Sequence, residues 1–69
     1  MNSADMCRAH GWGPGTRLVG DEGYGPTIIR ITAIGETKVL AVPESHNGIP
    51  DMYGFENLWT LERRDWKKV

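Results

Sequence analysis

Cys7 and His10 form the only Cys-x-x-His pair of the sequence, a spacing at which a thiolate and an imidazole can bind zinc. A structural zinc site needs four ligands, but the chain offers one further histidine, His46, and no second cysteine. A catalytic thiol would need a positioned base and surroundings that lower its pKa. We predict that residues 1–10 form a flexible terminal segment. We therefore expect an exposed thiol, no metal site, no cofactor and no enzymatic activity of the single chain.

Aromatic side chains are the second group whose type points to a function. The chain has three Trp, two Tyr and one Phe, and four of these six follow residue 50. Large aromatic and arginine side chains are enriched at the hot spots of protein interfaces. An alternative that the pattern leaves open is that Trp59 and Trp66 cap the open ends of a small barrel. We predict a surface for a protein partner formed by Tyr24, Arg30, Tyr53, Trp59 and Trp66.

Basic residues offer a different kind of binding surface. Phosphate contacts supply most of the affinity for nucleic acids, so a free-standing nucleic-acid binder usually carries a basic excess. This chain has 8 Lys and Arg against 9 Asp and Glu, which disfavours such a function. Residues 62–69 nevertheless hold four basic and two acidic groups. The alternative function is a nucleic-acid-binding small barrel that uses Arg30, Lys38, Arg63, Arg64, Lys67 and Lys68.

The elements that must position these side chains are short. Nine glycines and four prolines in 69 residues interrupt the chain too often for long helices. Residues 27–34 are β-branched almost throughout, which predicts a strand with Ile29 and Ile31 on one face. Gly35-Glu36 is a two-residue turn candidate, and residues 37–42 predict the returning strand.

Five strands are predicted in all, at 16–19, 27–34, 37–42, 55–61 and 66–69. Residues 62–65 predict a single 3₁₀ turn before the last strand. The Asn47-Gly48 dipeptide favours a tight turn within the long loop between the third and fourth strands. We therefore predict an all-β fold, a small five-stranded SH3-like barrel that occupies residues 11–69.

Three segments resemble short phage and prophage proteins. They are Gly-Thr-Arg-Leu at 15–18, Ile-Thr-Ala-Ile-Gly-Glu-Thr-Lys-Val-Leu-Ala at 31–41 and Trp-Thr-Leu-Glu-Arg-Arg-Asp-Trp at 59–66. That group consists of small SH3-like barrels with no established activity. The resemblance therefore implies context and not mechanism: an accessory protein that binds a host or phage macromolecule in the cytoplasm of the host cell.

Length and composition limit the remaining choices. Sixty-nine residues make one domain, and a core this small gives marginal stability, so a homodimer or larger homo-oligomer stays open. A catalytic site assembled across subunits stays open with it. One cysteine forms no internal disulfide and favours a reducing compartment. Because we find neither a signal-peptide pattern nor a long apolar run, we expect a cytoplasmic protein without a membrane partner.

Overall fold

The computed structural model describes residues 1–21, 23 and 25–69, and within them the chain is mostly β. The strands form one antiparallel sheet with the order β4-β3-β2-β1-β6, in which β5 also pairs with β3. This sheet is not closed into a barrel. The elements are α1 Ser3–His10, β1 Arg17–Asp21, β2 Pro26–Ile34, β3 Val39–His46, β4 Ile49–Pro50, β5 Asn57–Trp59 and β6 Lys67–Lys68.

The β2–β3 hairpin lies at the centre of the sheet. Ile29 and Ile31 of β2 are fully buried, whereas Arg30 between them is exposed. Val39 and Ala41 of β3 are buried in the same core. A side-chain period of two places alternate residues on opposite faces, and β-branched residues pack well on such a pleated surface. The predicted strand and its inward face are confirmed.

Two register shifts interrupt the pairing of this hairpin. The first, between Ile28 and Ile29, leaves Glu44 of β3 without a partner on β2. An extra residue of this kind is a β-bulge, which bends the strand and changes the direction of a side chain. The carboxylate of Glu44 faces outward, with oxygens 2.6 Å from Arg17 Nε and 3.4 Å from Arg30 Nε. The bulge therefore fixes two arginines on the outer face of the sheet.

The prediction of five strands is wrong, because the described residues form six. The additional strand, β4, results from the turn at Asn47 and Gly48, whose φ angles are 52° and 82°. Positive φ at both central residues is the geometry of the tight hairpin turns that match the twist of the strands. His46 thereby pairs with Ile49, and the long loop becomes a second hairpin. The predicted turn is confirmed, but its consequence for the strand count was missed.

The C-terminal third supplies two large core residues, Leu61 and Trp66. A hydrogen bond from Arg64 N to Leu61 O, at 3.4 Å, closes the turn where the 3₁₀ turn was predicted. Trp66 packs against Gly20 so closely that a Cβ on this glycine would lie 2.6 Å from the indole ring. Within the described part of the chain, the buried apolar cluster is Cys7, Trp12, Leu18, Ile29, Ile31, Val39, Ala41, Leu61 and Trp66.

Residues 3–10 form helix α1, where the sequence predicted a flexible segment. The side chain of Asn2 accepts a hydrogen bond from Asp5 N at 2.8 Å, which caps the first turn. Gly11 ends the helix in the left-handed region, with a φ of 72°. Ala4 and Cys7, three residues apart, therefore share one face of the helix, and both are fully buried.

The prediction of an exposed thiol is wrong, since Cys7 belongs to the core. Burial raises the pKa of its thiol, and Arg8 opposes this effect only in part. Arg8 also ties the helix to the β2–β3 turn, because its guanidinium donates to the carbonyl oxygens of Gly35 and Glu36 at 3.1 and 2.7 Å. An eight-residue helix has little stability alone, so these tertiary contacts explain its formation.

Candidate protein-binding site

Large apolar side chains are exposed in the segment that follows the Asn47-Gly48 turn. Met52 is 85% exposed, Tyr53 83% and Ile49 69%. Phe55 follows them along the chain and is exposed as well. We call residues 49–55 the apolar loop. An aromatic side chain carries roughly 150–250 Å² of surface, so the loop presents several hundred Å², a range in which apolar patches are often functional.

A surface groove of about 440 Å³ is lined by this loop and by the last residue of β3. Apolar side chains make up most of its wall, and one hydrogen-bonded polar pair lies beside them. The pair consists of His46 and Asp51, with His46 Nε2 2.9 Å from Asp51 Oδ2. The lining residues are His46, Ile49, Pro50, Asp51, Met52 and Tyr53.

Polar contacts hold the backbone of the apolar loop in place. Asp51 N donates to Glu44 O at 2.9 Å, and Asp51 Oδ1 accepts from Tyr53 N at 3.0 Å. The hydrogen bond with His46, followed by that with the Tyr53 N–H, lowers the pKa of Asp51. A Cβ at Gly54 would overlap the carbonyl oxygen of Pro43, so the loop backbone also packs directly on β3. Exposed side chains thus stand on a fixed backbone.

Of the five residues predicted to bind a protein partner, Tyr53 lies in the apolar loop. Tyr24 lies outside the described residues. Arg30 lies on the outer face of β2, where it pairs with Glu44. The structure therefore does not bring the predicted set together at the loop.

The two predicted tryptophans pack against each other instead. Their rings meet edge to face with centroids 6.0 Å apart. Trp59 is half-buried and its Nε1 donates to Ala41 O at 3.2 Å, while Trp66 is only 4% exposed. Trp66 offers almost no surface to a partner in this conformation. Trp66 belongs to the core cluster.

Sequence reasoning missed Ile49 and Met52 as members of the site. A signal was present: Ile49, Met52, Tyr53 and Phe55 are large apolar residues within a stretch that Pro50 and Gly54 mark as a loop. Loops that lie on the surface are usually polar, so four such side chains in seven residues are unusual.

The six basic residues of the alternative function lie in four places. Arg30 is on β2 beside Glu44, and Lys38 directly precedes β3. Lys67 and Lys68 form β6, opposite Val19 and Leu18 of β1. The other two, Arg63 and Arg64, line a shared groove of about 380 Å³ with Asn57, Leu58, Trp59 and Thr60.

The described residues provide no cluster of three or more His, Cys, Asp or Glu side chains that could hold a metal ion. His10 stacks on Trp12 with ring centroids 4.3 Å apart, and its Nδ1 lies 2.9 Å from Met6 O. Cys7 and His10 therefore have separate packing roles. Over the described part of the chain, no helix has both the length and the apolar character needed to cross a membrane.

Comparison with known proteins gives one match. No curated protein and no solved structure matches the chain. The family described as Domain of unknown function (DUF7241) matches it from residue 1 to residue 69, its full length. The chain therefore belongs to the DUF7241 family.

Proposed function

We propose that this protein is a non-catalytic interaction module that binds a protein partner through the apolar loop. One observation carries the proposal: Ile49, Met52 and Tyr53 surround a groove and are 69–85% exposed on a backbone that polar contacts hold in place. Apolar surface in water is unfavourable by roughly 25 cal/mol per Å², so its burial against a partner would stabilise a complex.

The fixed backbone supports the same function. A loop that is already ordered loses little conformational entropy when a partner binds, which leaves more of the contact energy as affinity. Tyrosine and methionine suit such a surface, because tyrosine combines a large apolar ring with a hydroxyl and methionine adapts its shape. Neither Met52 nor Tyr53 belongs to the core cluster.

We also propose that the sheet is an incompletely closed variant of the SH3-like barrel. The strand path β6-β1-β2-β3-β5 supports this, because the last strand pairs with the first and β5 pairs with β3. The contact between Trp59, at the end of β5, and Trp66, just before β6, brings the two ends of that path together. The proposed setting is the cytoplasm of a phage-infected or lysogenic host, which the sequence resemblance supports.

A pull-down from host lysate tests the proposed function. The bait is the tagged full chain, and the lysate is treated with nuclease in one arm. The test variant is Met52→Ala with Tyr53→Ala, and the matched control is Val69→Ala, which truncates an apolar side chain that is 58% exposed outside the loop. We expect the control to retain a nuclease-resistant protein that the double variant loses. Equal capture by both variants, or capture that nuclease abolishes, would contradict the proposal.

A further inference from the structure

Strand β5 has a free edge. It pairs with β3 on one side, and no other strand of the described chain pairs with it. The N–H of Ile31 donates to Thr16 O at 2.9 Å, and its C=O accepts from Gly15 N at 2.7 Å. Both backbone groups of Ile31 therefore face the segment before β1 and form no hydrogen bond with Ala41, the residue opposite on β3. In an antiparallel ladder the backbone groups of successive residues point to opposite sides, so the N–H and C=O of Ala41 point towards Asn57 of β5. The N–H and C=O of Leu58 therefore point away from the sheet.

A groove with apolar and basic walls lies beside this edge. It is the groove of about 380 Å³ that Arg63 and Arg64 share with β5. The side chain of Leu58 is 62% exposed. Neither arginine forms an ion pair with a described residue, whereas Arg8, Arg17 and Arg30 each do. The edge thus combines unpaired backbone groups, one apolar side chain and two guanidinium groups.

From this combination we infer that β5 accepts an extended, acidic segment of a partner protein as an added strand. The backbone of that segment pairs with Leu58, an apolar side chain packs on Leu58, and Asp or Glu side chains bind Arg63 and Arg64. Guanidinium groups suit this role because they bind carboxylates through two parallel hydrogen bonds. The inference does not rest on the apolar loop, since the two grooves share no lining residue.

A peptide fits this groove better than a nucleic acid does. A phosphate backbone offers oxygens that accept hydrogen bonds but no N–H that donates to the C=O of Leu58, so it cannot pair as a strand does. Asp21, Glu62 and Asp65 line a neighbouring groove with the same two arginines, which weakens the attraction for a polyanion at long range. A short peptide with a few carboxylates carries less negative charge than a nucleic acid, so the same acidic residues repel it less.

The test uses a dye-labelled synthetic peptide of alternating Glu and Val, titrated into the full chain and followed by fluorescence anisotropy. We expect saturable binding, and slower hydrogen exchange of the Leu58 amide in the complex. A Lys/Val peptide of the same length should not bind. The Glu/Val peptide methylated on alternate backbone nitrogens should lose binding, because the methyl groups prevent strand pairing while the side chains remain.

Two double variants distinguish binding by contacts in the groove from binding by net charge alone. Arg63→Gln with Arg64→Gln should weaken binding about tenfold, because it removes the guanidinium–carboxylate contacts. Lys67→Gln with Lys68→Gln removes the same charge from β6, outside the groove, and should change the affinity less than about twofold. Thermal unfolding verifies that both variants stay folded.

Three results would overturn the inference. The first is an equal loss of affinity in both double variants, which would indicate net charge. The second is full binding of the methylated peptide. The third is that a single-stranded DNA oligonucleotide binds more tightly than the peptide, with an affinity that falls steeply with salt, as a nucleic-acid site requires.

Discussion

Leu61 and Leu58 are three residues apart, yet they represent two different regions of the molecule. Leu61 is fully buried in the core cluster, which draws residues from α1, from β1 to β3 and from the C-terminal turn. Leu58 is 62% exposed, like the apolar side chains of residues 49–55 that precede it. Residue type does not distinguish the two regions. The difference lies in whether distant parts of the chain cover the side chain.

Contacts from both ends of the chain close over the core region. The hydroxyl of Ser3 accepts from Leu61 N at 2.9 Å and donates to Glu62, which joins α1 to the C-terminal turn. In the apolar loop, by contrast, internal polar contacts fix the backbone and no described element covers Met52 or Tyr53. One region is thus closed by contacts between distant parts of the chain, whereas the other is left open, and this openness is what supports the proposed binding function.

The largest effect should come from truncating Leu61, with Leu58 as its exposed counterpart. Leu61→Ala removes a fully buried side chain and leaves a cavity, so we expect a loss of about 3 kcal/mol in the free energy of unfolding. Leu58→Ala should change it by less than about 0.5 kcal/mol. Urea denaturation measures both values. Similar losses in the two variants would show that β5 packs differently from the structure.

A smaller effect is expected at Gly20, where the core allows no side chain. A Cβ there would lie 2.6 Å from the Trp66 ring, so Gly20→Ala should destabilise the fold by about 2 kcal/mol through overpacking. Gly13→Ala is the matched control, because nothing lies within 4 Å of its Cβ position. The midpoint of thermal unfolding should be lower for Gly20→Ala than for Gly13→Ala, which should stay close to wild type. An unaffected Gly20 variant would place Trp66 outside the core.

The hydrogen bonds of Ser3, which join the two ends of the chain, should contribute less to the free energy of unfolding. Ser3→Ala leaves the N–H of Leu61 without its partner, and such a loss costs about 1–2 kcal/mol for a buried group. The hydrogen bond from Ser3 is also the main cause that lowers the pKa of Glu62. A lowered pKa stabilises the fold above the unfolded-state value and loses this effect as the pH falls through the folded value. Denaturation at several acidic pH values should show a weaker pH dependence in the variant than in wild type.

The smallest effect concerns the contacts that fix the apolar loop. His46 and the Tyr53 N–H lower the pKa of Asp51, so protonation of this carboxyl, and with it the release of Tyr53 N, should require a lower pH than for an ordinary aspartate. An NMR titration of the Tyr53 amide should show a midpoint below the usual range for aspartate. In His46→Ala the midpoint should move to higher pH, because the hydrogen bond with His46, the largest cause of the lowered pKa, is gone. The same midpoint in both proteins would mean that His46 does not hold the loop.

The sequence predicts the parts of the fold that local pattern determines. The β-branched run around Ile29 and Ile31 requires a half-buried strand, and Asn47-Gly48 requires positive φ, which a tight turn provides. Helix α1 was missed because its stability depends on burial of Cys7 and on the contacts of Arg8 with a distant turn. No local signal encodes such contacts.

The site was harder to predict than the fold for a related reason. A strand that contains both Leu58 and Trp59 is apolar on both faces, so its period of two does not decide which side chain is exposed. The structure places Trp59 against Trp66 and leaves Leu58 open. Exposure of Met52 and Tyr53 depends on Asp51 and Gly54, which hold the loop on β3. Tertiary contacts therefore decide the site.

The most direct test of the apolar loop as a binding surface is a calorimetric titration of the captured, purified partner. Wild type and Tyr53→Ala are compared, with Val69→Ala as the control. We expect Tyr53→Ala to weaken the affinity about tenfold or more, as hot-spot side chains do, with an unchanged thermal midpoint. Val69→Ala should bind like wild type. Equal affinities of all three proteins would contradict the assignment of the apolar loop to partner binding.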